Sequence, residues 1–296
     1  MKRRAAGFLN GSIAAASYGM NPLFALPMYQ GGIGVNSVLF YRYFFAVLIY
    51  GLWIKFVKKT SLKISLKEFF PLFGLGIFFS LSSLTLFIAF EHIAAGIACT
   101  ILFIYPIMVA VLMAVFFKEK ITKTVIGAIC LTTSGIILLY KGKPGDDLNI
   151  QGLLIVLASA LLYALYIIGV KNIKTVKHMK SDKLSFYVML FGLLVYVVNL
   201  KFCTQLQIPD KPLLWLCALA LAILPTIISI ETITVAIKLI GSTTTAILGA
   251  LEPLTAIFFG VLLFNEQLTP RICLGVFMIL SGVFLIVTRK MKPSSN

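Results

Sequence analysis

Residues 251–269, LEPLTAIFFGVLLFNEQLT, decide the fold. From Leu251 to Phe264 the only charged residue is Glu252; the polar group Asn265-Glu266-Gln267 then stops the apolar run before Thr269. Residues 104–122, IYPIMVAVLMAVFFKEKIT, say the same thing earlier in the chain. At a constant offset of 147, Pro106 falls on Pro253, Phe117 on Phe264, Glu119 on Glu266 and Thr122 on Thr269. The register extends without a gap from 89–143 onto 236–290 and places Ser134-Gly135 on Ser281-Gly282. An offset of 145 puts Gly7 on Gly152, Ala15 on Ala160 and Tyr18 on Tyr163. The chain therefore reads as one unit used twice, over 6–140 and 150–288.

Composition states the solvent of that unit. Of 296 residues, 60% are hydrophobic and 12% charged, with a mean hydropathy of +1.01. Soluble domains carry roughly 25% charged residues. Ten segments approach the ~20 apolar residues needed to cross the hydrocarbon core: 6–28, 37–57, 69–90, 94–117, 122–140, 150–170, 184–201, 212–236, 242–264 and 270–288. The sequence predicts an all-α membrane protein with ten transmembrane helices. Five is odd, so the second unit enters from the opposite face, giving two inverted five-helix repeats of the kind found in secondary transporters.

The net charge of +16 lies in short clusters between apolar runs. With the N-terminus inside, the inner segments hold twenty Lys and Arg and the outer loops five. That bias places both termini in the cytoplasm and the chain in a bacterial cytoplasmic (plasma) membrane. It also argues against nucleic acid as a partner. Lys2-Arg3-Arg4 precedes an apolar stretch with no small-residue cleavage site, so the first helix is expected to be retained.

Cys99, Cys130, Cys203, Cys217 and Cys273 form no CxxC pair, and His92 and His178 have no ligand spacing around them. No metal or other cofactor is expected. No nucleophile–base motif and no GxxxxGK[ST] loop occurs, which argues against an intramembrane enzyme and against ATP as the energy source. A channel or a scaffold is the remaining alternative. Channels are usually built from rings of like groups contributed by several subunits, whereas two pseudo-symmetric halves give one pathway per chain.

The C-terminal part of each unit resembles the EamA type of the drug/metabolite transporter superfamily. The matching residues are Pro106, Phe117 to Thr122, Gly127 and Ser134-Gly135 in the first unit. In the second they are Leu251 to Ala256, Gly260, Leu263 to Thr269, Gly275 and Ser281-Gly282; Arg42 within helix 2, in Tyr41-Arg42-Tyr43-Phe44, also fits. Phe90-Glu91-His92 departs from the small and basic residues more common there. The resemblance implies a central cavity lined by helices 1–4 and 6–9, with helices 5 and 10 peripheral. It implies a transporter, often an exporter, of metabolites or amphipathic compounds.

Polar residues inside spans are the candidate site, because lipid penalises them unless they face a cavity or a partner. Glu252 could bind substrate or exchange a proton as coupling ion; Pro253 should free the carbonyl of Gly249 beside it. Its mate in the first unit is Tyr105. Glu231 belongs to a stripe with Thr226, Ser229, Thr232 and Thr234, matched by Ser80, Ser82, Ser83 and Thr85. These hydroxyls either line the cavity or bond carbonyls within their own helices. Tyr18 and Asn21 share a face one turn apart, as do Tyr163 and Tyr166. Arg42 is expected to gate the outer vestibule, snorkel to headgroups or form an ion pair. Glu119 and Glu266, each ahead of a capping Thr122 or Thr269, read as structural, and Gly249, Ala256 and Gly260 as packing. The lining suits a small zwitterion or an amphipathic cation, carried by a monomer or homodimer.

Overall fold

The computed structural model describes residues 2–118, 123–140, 149–177 and 179–289. Glu119 and Thr122 lie outside them. The described residues form helices and no strand: α1 (Lys2–Gly19), α2 (Asn21–Gln30), α3 (Val35–Trp53), α4 (Leu66–Ala89), α5 (Ala95–Leu102), α6 (Tyr105–Phe117) and α7 (Lys123–Tyr140). The second half has α8 (Ile150–Asn172), α9 (Lys174–Lys177), α10 (Ser181–Asn199), α11 (Pro212–Ala222), α12 (Ser229–Leu248), α13 (Leu251–Phe264) and α14 (Pro270–Arg289). Two π-turns, Ile54–Lys58 and Ile223–Ile228, continue α3 and join α11 to α12.

Among the described residues, six helical stretches are long and apolar enough to span a bilayer: Val35–Lys58, Leu66–Ala89, Ala95–Phe117, Ile150–Val170, Ser181–Asn199 and Pro212–Ile233. The apolar stretches Lys123–Leu138, Leu251–Phe264 and Pro270–Leu285 are shorter. Outward-facing side chains such as Leu66, Phe116 and Phe277 are 75%, 69% and 67% exposed. An exterior of that kind belongs in lipid.

Three expected spans are interrupted, each at a proline or glycine. The first, 6–28, breaks at Met20: Pro22 has no amide to give the Tyr18 carbonyl four residues back, which takes Asn21 Nδ2 instead, and the proline sits in the first turn of a new helix, α2. The fourth breaks at Phe103-Ile104, ahead of Pro106, and the ninth at Gly249-Ala250, ahead of Pro253. In both, proline sits in a first helical turn, where its missing N–H costs nothing. The Gly249 carbonyl is therefore not left open by Pro253; it accepts the Glu252 amide at 3.0 Å.

Helix α12 is not one straight rod. A Cβ on Gly11 would stand 3.5 Å from Ala236 Cβ and 3.7 Å from Leu248 Cβ. A straight helix separates those two residues by about 18 Å. The backbone folds back between them, around the expected boundary at 236–242.

The packing follows the sequence repeat. Helix α1 lies on α12 as α4 lies on α8; α7 pairs with α14, α3 with α10, and α5 with α13. Hydrogen bonds repeat too. Ser82 donates to the carbonyl of Ser159 (3.0 Å), and its mate Ser229 donates to the carbonyl of Ala14 (3.0 Å). Thr85 bonds the carbonyls of Leu81 and Ser82, and Thr232 those of Ile228 and Ser229. Lys118 and Asn265 end their helices in matching left-handed turns, at φ 57° and 53°.

The Ser-Gly motifs are packing devices at the α7–α14 contact. A Cβ on Gly135 would stand 2.8 Å from the Gly275 carbonyl oxygen, and one on Gly282 would stand 3.0 Å from the Ala128 carbonyl oxygen. Gly282→Val should destabilise the protein by about 1–3 kcal/mol through overpacking. A lowered thermal unfolding midpoint in detergent, with Gly282→Ala less affected, would show it.

Candidate functional site

Arg42 is the most informative buried residue. It is 1% exposed, so it does not snorkel, and it forms no ion pair among the described residues. Its Nε donates to Thr226 Oγ1 at 3.0 Å. The acceptor is prepared by the local sequence. Pro225 has no amide to give the Leu221 carbonyl four residues back, and the π-turn forms there. The Thr226 hydroxyl donates to that carbonyl at 2.9 Å, leaving its oxygen free to accept from Arg42. Rings of Phe87, Tyr43 and Tyr18 surround the guanidinium, with centroids 5.4, 5.8 and 6.0 Å from Cζ. Nη1 of Arg42 is buried without a hydrogen-bond partner, and so is Oδ1 of Asn21, whose Nδ2 bonds the Tyr18 carbonyl at 2.8 Å.

Glu252 stands in the first turn of α13, where the helix N-terminus favours negative charge. Among the described residues its carboxyl has no hydrogen bond and no ion pair. It lies within electrostatic reach of Tyr18, Cys99, Tyr105 and Tyr163. Gly19 fixes its distance from α1: a Cβ there would come 2.4 Å from the Glu252 carbonyl oxygen. The rings of Tyr105 and Tyr163 meet edge-on at 4.7 Å, and Tyr166 stacks beside Tyr163 at 6.0 Å. Tyr18, Tyr105, Tyr163, Tyr166 and Glu252 are only half-buried although they sit among α1, α6, α8 and α13. The structure thus gathers Tyr18, Tyr105, Tyr163 and Glu252 around one locus, with Arg42 beside Tyr18, Asn21 one turn away and Tyr166 behind Tyr163.

The remaining polar candidates are placed elsewhere. Ser82, Ser229, Thr85 and Thr232 spend their hydroxyl protons on backbone carbonyls, between helices for the serines and within a helix for the threonines. Glu231 stands apart from Glu252, at the end of α3. Its carboxylate accepts from the Tyr50 hydroxyl and pairs with Lys58 at 2.9 Å. Lys58 also pairs with Asp182 at 2.9 Å and lies over the Trp53 ring at 4.3 Å. This cluster ties α3 of the first unit to α10 and α12 of the second. Removing the shared cation sets two carboxylates against each other. Lys58→Met should cost about 1–2 kcal/mol, and the double variant Lys58→Met/Glu231→Gln less than Lys58→Met alone, as measured by thermal unfolding.

Glu266 is a structural carboxylate. It accepts the amides of Ala95 and Gly96, at 2.7 and 3.3 Å, and so caps α5. Burial holds its carboxyl above the usual carboxylate range, and the two amide bonds offset only part of that rise. Thr269 caps α14 by accepting the Ile272 amide at 3.3 Å.

Sequence reasoning did not find Thr226 as the anchor of Arg42, Tyr50 and Lys58 as partners of Glu231, or Asp182 as the second carboxylate on Lys58. The one local signal was Pro225-Thr226, a proline followed by a hydroxyl that can replace its missing donor. Among the described residues no group of three or more His, Cys, Asp or Glu could hold a metal ion.

A solved structure titled "Crystal structure of protein" is similar over 98% of this chain and 99% of its own length, at 15% identity and a TM-score of 0.67. That likeness concerns the fold alone. No curated protein matches the chain. Residues 5–141 and 150–288 each match the EamA-like transporter family. The two matches cover both units and nearly the whole chain, and with the apolar helices they identify an integral membrane protein of the drug/metabolite transporter superfamily: the chain belongs to the EamA-like transporter family.

Proposed function

We propose that the chain is a secondary transporter, working as an exporter, that carries a small zwitterion by alternating access between two inverted five-helix repeats. The observation that carries this reading is a pair of complementary charges without partners among the described residues. Arg42 Nη1 is a buried donor with nothing to bond, and the half-buried Glu252 carboxyl has neither a hydrogen bond nor an ion pair among the described residues, with Tyr18 in reach of both. A buried charge left alone is costly. A solute that brings a carboxylate to Arg42 and an ammonium to Glu252 relieves both.

Ten spans are the reading that suits the fold. Helices α1 and α2 together supply the first, and the fold-back within α12 separates the eighth from the ninth. The repeated Ser82 and Ser229 bonds support an inverted pseudo-twofold arrangement. In each unit a broken helix begins a new half beside the site, with Tyr105 or Glu252 in its first turn, an arrangement secondary transporters use. Both termini lie in the cytoplasm, the chain sits in the plasma membrane, and the proton is the coupling ion.

A second reading, an amphipathic cation, draws on the Tyr18, Tyr105 and Tyr163 rings beside Glu252, but it leaves the Arg42 charge facing a like charge. Counterflow in liposomes decides between them. A purified sample screened against amino acids, quaternary ammonium compounds and dicarboxylates should show saturable exchange with the zwitterions. Exchange with the cations alone would overturn the assignment, and non-saturable flux would point to a channel.

A further inference from the structure

We propose that the groove between α3 and α10 is a binding site for an anionic phospholipid of the inner leaflet. The groove has a volume of about 700 Å³. Leu48, Leu52 and Phe186 form its apolar walls, and Lys55, Lys59, Thr60 and Ser61 close one end. That is the division of a lipid, with acyl chains below and a phosphate above.

The charged end is built rather than incidental. The π-turn Ile54–Lys58 carries Lys55 and Lys58 through the end of α3, and Lys59 follows as its C-cap. Lys58 is turned inward and neutralised by Asp182 and Glu231. Lys55 and Lys59 remain exposed, with no carboxylate partner among the described residues, and no acidic residue lines the groove. Lys59 adopts a left-handed conformation, φ 50°, that turns the chain back. Such a conformation is uncommon for a residue with a side chain. The Tyr187 hydroxyl then pins the returning segment to α10 by donating to the Leu62 carbonyl. Basic pockets at the cytoplasmic ends of transmembrane helices suit anionic headgroups, at about 1 kcal/mol for each lysine near the surface. Two such lysines correspond to roughly a 30-fold preference over a zwitterionic headgroup.

The inner-leaflet placement rests on the orientation given under Proposed function. The site itself does not rest on transport. Purified full-length protein in neutral detergent is titrated with phosphatidylglycerol, with phosphatidylcholine of the same chains, and with inorganic phosphate. Retained lipid is read by native mass spectrometry and stability by thermal unfolding.

Phosphatidylglycerol should bind at least about tenfold better than phosphatidylcholine. Lys55→Gln/Lys59→Gln should lose that preference, Lys55→Arg/Lys59→Arg should keep it, and Lys118→Gln/Lys123→Gln, with the same change of net charge, should retain it. Leu52→Trp, which fills the groove and leaves both lysines, should lower retention of both lipids. Equal loss in the Lys118/Lys123 control would reduce the effect to diffuse attraction and overturn the proposal. Equal stabilisation by inorganic phosphate, or no preference in the parent protein, would overturn it as well. Because the readout is lipid retention, a failed transport assay leaves this result standing, and the reverse holds too.

Discussion

Arg42→Met should abolish tight binding of any solute that presents a carboxylate, while leaving a folded protein. The guanidinium is 1% exposed and its Nη1 has no protein partner among the described residues, so a ligand carboxylate meets a donor that no other side chain occupies. Truncating one partner of a buried, hydrogen-bonded charge pair costs about 2–5 kcal/mol. At 1.4 kcal/mol per decade this is a loss of roughly 30-fold to a few thousand-fold. Arg42→Lys should rescue poorly. An ammonium is a point charge that cannot hold Thr226 through one nitrogen and aim a second at the ligand within the same planar fork. Isothermal titration with the solute found by counterflow checks the prediction. Unchanged affinity in Arg42→Met would reduce Arg42 to a packing residue of α3. Folding is monitored separately, because methionine also removes the Thr226 contact and the three aromatic contacts.

Glu252→Gln is expected to separate coupling from shape. Glutamine keeps the volume in the first turn of α13 and cannot titrate. If one carboxyl serves both the substrate ammonium and a proton, the two compete. Lower pH then adds the proton, removes the negative charge and weakens substrate binding. The parent protein should therefore bind its solute progressively less well as pH falls. The glutamine variant should bind about tenfold or more weakly at high pH and show no such trend. Outward transport driven by an inward proton gradient should disappear with it. A glutamine variant that still responds to the gradient moves the proton site elsewhere, with Glu231 and Asp182 around Lys58 next in line.

The largest gains from sequence alone came where the physics is local or repetitive. Hydropathy fixed the solvent, because a helix in lipid must be apolar along its whole length. The offset of 147 from Pro106 to Pro253 found the two units, and Ser82 and Ser229 then made the same bond in space. Thr269 was legible as a cap because capping of its own helix is a short-range pattern, whereas the role found for Glu266, capping α5 through amides 170 and 171 positions away, is not written in its neighbours. Tyr18, Tyr105, Tyr163 and Glu252 were legible as candidates because lipid leaves a polar group inside a span few other uses, and the structure gathers them around one locus.

What failed to be legible depends on which helix faces which. Glu231 and Glu252 look alike in sequence, each a lone carboxyl in an apolar run, and the fold separates them. Glu231 turns to Lys58, more than 170 positions away in the chain, while Glu252 is left open beside Tyr18. The hydroxyl stripes look like a cavity lining, and the structure instead commits Ser82, Ser229, Thr85 and Thr232 to backbone carbonyls. The sequence by itself determined that this protein lives in lipid as a doubled helical unit with charge buried in it. Only the tertiary structure decided which of those charges are neutralised by a partner and which stand free, because a salt bridge depends on distances of a few ångströms between helices and no spacing along the chain encodes them.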